Sequence, residues 1–68
     1  MTLNAQLLAA HARGDTRALV GLYVQAADAT ADIDAACFYL THAYVYALET
    51  AHPDTSAILS RLRAHGRA

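Results

Sequence analysis

The sequence predicts an all-α fold, four helices in two antiparallel helical hairpins, on three observations. Residues 34–52, DAACFYLTHAYVYALETAH, form one long stretch with apolar side chains at helical spacing. Two turn signals, Gly14-Asp15 and Pro53-Asp54, each stand just before a new apolar helical pattern. Alanine, the strongest helix former, is by far the commonest residue.

Residues 2–13 read as the first helix. Thr2 or Asn4 caps it, Leu3, Leu7, Leu8 and Ala12 form its apolar stripe, and Gly14 closes it. Asp15 then caps a second helix over residues 16–28, with Leu19, Val20, Leu22, Tyr23, Ala26 and Ala27 as its apolar positions. Gly21 in its middle costs about 1 kcal/mol relative to alanine, and it reads equally as the mark of a close helix crossing or as drift. Residues 29–33 make a short polar turn.

The central helix follows over 34–52, capped by Asp32 or Asp34 and stopped by Pro53. At 100° per residue one face carries Cys37, Leu40, Tyr44, Ala47, Leu48 and Ala51, the expected core face. The opposite face carries Tyr39, His42, Tyr46 and Glu49, with Phe38 and Val45 at its edge. A helix apolar on two sides is usually covered on both. Its longest uncharged run, 35–48, falls short of the roughly 20 apolar residues that cross a bilayer, so no membrane is expected. Asp54 caps a fourth helix over 55–65, with Ile58, Leu59 and Leu62 inward and 66–68 as a frayed end.

Residues 12–21 lie over 51–60 without a gap at an offset of 39, with Ala12/Ala51, Asp15/Asp54, Thr16/Thr55 and Ala18/Ala57 identical. The hairpins are thus 2–28 and 33–65 of a single domain. The pattern Gly14-Asp15-x-x-Ala18, followed by Tyr23 and Ala26-Ala27, resembles the turn and second helix of tetratricopeptide-type repeats. That resemblance implies a binding scaffold without catalysis. The spacing is longer than that family's, tryptophan is absent and the central helix is longer, so the chain resembles a minimal, freestanding relative. It is similar also to small bacterial helical proteins that carry no function to transfer.

Sixty-eight residues bury only about 60% of their unfolded surface, and folds of this size commonly add disulfides, a metal or a partner. Cys37 is the one cysteine, so no intrachain disulfide is available, and a lone thiol fits a reducing cytosol. No basic segment precedes the first apolar residues, so no signal peptide is read and a cytoplasmic location is expected. The net charge is −1 and no lysine is present, which argues against general binding to a phosphate backbone.

Three functions are weighed. The leading expectation is a non-enzymatic protein–protein interaction module, self-associating through the central helix or meeting another protein. Its interface would be Phe38, Tyr39, His42, Val45, Tyr46 and Glu49, because four short helices cannot wrap both faces of the longest one. The bland alternative has the tyrosines covering the domain's own core, hydroxyls toward water. The second is a metal- or ligand-binding bundle formed on dimerisation, since Glu49-x-x-His52 has the carboxylate–histidine spacing of helical di-metal sites. One chain offers a single such pair, so no metal and no cofactor is expected. The third is a nucleic-acid accessory protein using Arg61, Arg63, His65 and Arg67, which more simply oppose the negative end of the last helix. His11 reads as a solvated turn histidine, and no catalytic constellation is present.

Overall fold

The computed structural model describes residues 2–68. Among them are four helices and no strand: α1 (Leu3–Arg13), α2 (Thr16–Asp28), α3 (Ile33–Glu49) and α4 (Thr55–Ala64). Their beginnings follow local side-chain chemistry. Thr2 Oγ1 accepts from the Ala5 amide at 3.1 Å and Asp15 Oδ1 from Ala18 at 3.1 Å. Asp32, rather than Asp34, caps α3, accepting from the amides of Asp34 at 2.9 Å and Ala35 at 3.3 Å. Asp34 sits in the first turn, where its charge opposes the helix dipole.

Three of the helices end in one device. A residue in the left-handed region follows the last turn, and the next amide reaches back to a carbonyl inside the helix. Gly14 (φ 65), Ala51 (φ 49) and Gly66 (φ 71) hold that position. The amides of Asp15, His52 and Arg67 donate to Ala10, Ala47 and Leu62, each at 2.9 Å. This corrects two expectations. The central helix ends at Glu49, not at His52, because Ala51 reverses the backbone before Pro53 is reached. Residues 66 and 67 are a cap and not a frayed end.

The repeat is likewise uneven. Asp54 makes no side-chain cap, because at φ −87 and ψ 3 its backbone lacks the extended form that aims a capping oxygen. His52 takes over: its Nδ1 accepts from the Asp54 amide at 3.0 Å and its carbonyl accepts from Thr55 Oγ1 at 2.7 Å.

The helices pack in chain order, α1 on α2, α2 on α3 and α3 on α4. Their Cα envelope, 32 × 27 × 13 Å, is a thin slab. One core joins Val20 and Ala27 of α2, Ala36, Cys37, Leu40, Ala43 and Ala47 of α3, and Ile58 and Leu62 of α4. Leu40 and Val20 are its largest fully enclosed side chains. The expected core face of α3 holds at Cys37, Leu40 and Ala47 but is rotated at its edges: Ala36 and Ala43 lie inside, while Leu48 is 56% exposed and Ala51 is exposed. The stripe of α1 also differs: Ala10 is fully buried, Leu3 and Leu7 are half-buried, and Leu8 and Ala12 face outward.

Gly21 marks no close crossing, because a Cβ built there meets nothing within 4 Å. It lies instead on an open cleft between α1 and α2 that includes Ala9, Ala18 and Gln25. Gly21→Ala is expected to stabilise the fold by about 0.5–1 kcal/mol, through helix propensity and reduced freedom of the unfolded chain. Thermal melts of the two proteins decide it, and a lower midpoint in the alanine variant refutes it.

Arg61 of α4 pairs with Asp28 at the end of α2 at 2.6 Å, and Arg67 pairs with Asp34 at the start of α3. Exposed pairs of this kind contribute about 0–1 kcal/mol each, so they orient the last helix more than they hold it. No helix is long and apolar enough to cross a membrane among the described residues.

Candidate protein-interaction face

The expected interface residues fall into two groups. Tyr39, His42 and Tyr46 recur at i, i+3 and i+7 on α3 and are half-buried. They close around Tyr23 of α2. Its ring stacks on His42 (centroids 5.2 Å apart, 27° between planes) and on Tyr46 (5.9 Å, 26°), and leans on Tyr39 at 6.2 Å. From α1, His11 brings Nε2 to 2.9 Å from the Tyr23 hydroxyl and sets its ring edge-on to Tyr46 at 6.2 Å. His11 is exposed, as expected, and also ties α1 to this cluster. The tyrosine stripe joins α1, α2 and α3, so much of its ring surface is spent inside the chain.

The second group points outward. Phe38 is 60% exposed, Val45 46% and Leu48 56%, and Glu49 is exposed at the end of the helix. Phe38, Thr41, Val45 and Leu48 follow a spacing of three, four and three residues, which lines them along one ridge. Leu48 joins this ridge although its periodicity also fitted the core. The 3–4–3 spacing was the signal that could have separated it.

Between the two groups runs a shallow groove of about 240 Å³ lined by Thr41, His42, Val45 and Tyr46. Two of its polar atoms are turned onto the helix's own backbone. Thr41 Oγ1 donates to the Cys37 carbonyl at 2.8 Å. His42 Nδ1 lies 2.9 Å from the Phe38 carbonyl, which only accepts, so Nδ1 carries the proton. The groove therefore shows a threonine methyl, a valine and aromatic surface, with the Thr41 hydroxyl already satisfied.

Glu49 and His52 do not share a helix face, since α3 stops between them. His52 Nδ1 is occupied by the Asp54 amide, so the carboxylate–histidine reading loses its geometry. The same bond makes Nδ1 an acceptor, and the 3.8 Å approach to the Asp54 carboxylate becomes an ion pair only in the protonated ring. No group of three or more metal-ligating side chains forms among the described residues. Of the basic C-terminal cluster, Arg61 and Arg67 are each paired with an aspartate.

Burial pushes the Tyr23 phenol up, and the neighbouring Tyr46 and Tyr39 raise it further. This is the wrong direction for a nucleophile or a base near neutrality. The fold favours the neutral phenol, so its contribution is complete below the ordinary value of 10.0 and is lost as pH rises through the higher folded value. The chain is expected to lose stability on the alkaline side as Tyr23 ionises above the ordinary phenol value. Phenolate absorbance of the wild type against Tyr23→Phe measures this. Removal of an early-ionising group by that substitution contradicts it.

No protein-family model matches the chain, and no curated protein or solved structure matches it.

Proposed function

We propose that this chain is a non-enzymatic protein-interaction module whose contact surface is the outward ridge of α3. One observation carries the reading: the central helix, packed on α2 and α4, still exposes Phe38, Val45 and Leu48 in a single line. Clustered large apolar side chains on a surface are the usual mark of an association site. The contact centre moves from the tyrosines to this ridge, because Tyr39 and Tyr46 are occupied by Tyr23 and His11. The hairpin pattern shared with tetratricopeptide-type repeats supports the same class of role. The pairing of Arg61 and Arg67 with carboxylates weighs against nucleic acid as the partner. A reducing cytoplasm suits the buried free thiol of Cys37.

The test is a double substitution, Phe38→Ser with Leu48→Ser. Both side chains are more than half exposed, so thermal stability should change by no more than about 0.5 kcal/mol per site. Association, read as light-scattering mass and as co-purification from the native host, should fall. Tyr46→Ser is the contrasting control and should damage folding first. If the double variant keeps the same mass and the same co-purifying proteins, the ridge is not the contact surface.

A further inference from the structure

The geometry points to a second copy of this chain as the occupant of the ridge, laid antiparallel along α3 with the two-fold axis between Thr41 and His42. The inference rests on the interaction reading above and adds the partner and its register. Three features support it, and two of them fix that axis.

The first is a knob and a hole on the same helix. Phe38 projects from the ridge, 60% exposed, and the groove lined by Thr41, His42, Val45 and Tyr46 lies one to two turns further along. A two-fold axis between residues 41 and 42 sets position 38 level with position 45 of the other copy. Each Phe38 then enters the other copy's groove, and both grooves fill at once. Such self-complementarity is what a two-fold interface requires.

The second is the cost of closing the groove over. Thr41 and His42 already donate to the Cys37 and Phe38 carbonyls, at 2.8 and 2.9 Å. Neither of those donors loses a partner when water leaves, so covering them carries little desolvation penalty.

The third is charge. No charged residue lies on α3 between Asp34 and Glu49. A parallel pair would set Asp34 on Asp34 and Glu49 on Glu49. The antiparallel axis sets residue 49 level with residue 34 of the other copy, where Arg67 already sits on the Asp34 carboxylate. Arg67 then lies between two acids and each end of the pair holds one cation, whereas a parallel arrangement gathers both Arg67 side chains at the Asp34 end and leaves the two Glu49 together without one. The same axis aligns the full length of both helices, because 41 is the midpoint of Ile33–Glu49.

The experiment is disulfide trapping in full-length chains carrying Cys37→Ala, so that the native thiol does not interfere. Thr41→Cys places two thiols beside the axis. Glu49→Cys places them roughly 22 Å apart along an antiparallel pair, but side by side in a parallel one. Trapping of the Thr41→Cys chain with none of the Glu49→Cys chain is the expected result. Adding Phe38→Ala to the Thr41→Cys chain should weaken dimerisation about tenfold or more by sedimentation equilibrium. Trapping through Glu49→Cys, or an unchanged dimer without Phe38, overturns the register while leaving the interaction reading standing. A wild-type chain that stays monomeric at millimolar concentration overturns the pairing itself. The interaction reading fails separately, if the double serine variant retains every host protein that the wild type retains.

Discussion

Leu40→Ala is expected to destabilise the chain by about 2–5 kcal/mol. Leu40 is fully enclosed at the middle of α3 and joins the apolar residues of α2 to those of α4. Its own-helix companions in the core are Ala36, Cys37, Ala43 and Ala47, too short to move into the space a leucine leaves. The cavity would stay open, which places the cost in the upper half of the range. A chain of 68 residues has roughly 3–10 kcal/mol of stability in all, so much or all of it would be lost. Urea or thermal unfolding followed by circular dichroism measures the change. A loss under about 1 kcal/mol would mean that the core closes over the gap, against the packing described.

Ala43→Leu is the second large effect, and it acts in the opposite sense. Ala36, Ala43 and Ala47 recur on one side of α3 with 8%, 0% and 0% exposure. Their small side chains set how closely the neighbouring helix backbones approach. Ala43 is fully enclosed, so a leucine there must displace its neighbours, and over-packing of this kind costs about 1–3 kcal/mol. Ala12→Leu, on the exposed side of α1, is the control and should change stability by less than about 0.5 kcal/mol. Equal melting points for the two leucine variants would show that the slab opens without cost and that close helix approach is not what holds it.

Much of the architecture was legible before any coordinates. Thr2, Asp15 and Asp32 mark helix starts because a short oxygen-bearing side chain satisfies an amide two or three residues away. Gly14 marks an end because only glycine takes the left-handed form freely. The end of α3 was not legible. Ala51 adopts the same left-handed form without being glycine, and nothing in its identity announces it. Asp54 looked like Asp15 but sits on a backbone of different shape, so the same residue in the same local sequence does not cap.

The candidate site was legible in half. That α3 carries more apolar surface than its core face follows from its composition alone. Which part of that surface stays open does not. Tyr39, His42 and Tyr46 are half-covered because Tyr23 and His11 arrive from α2 and α1. Phe38, Val45 and Leu48 stay in the open because no helix arrives from their side.

Helix number, order and starting points were determined by the sequence itself, because caps and periodicity act within a turn or two of the chain. The rotation of α3, the open floor at Gly21 and the split between half-buried tyrosines and exposed ridge were decided by the tertiary structure. Each depends on the direction from which a residue tens of positions away approaches, and no local pattern encodes that direction.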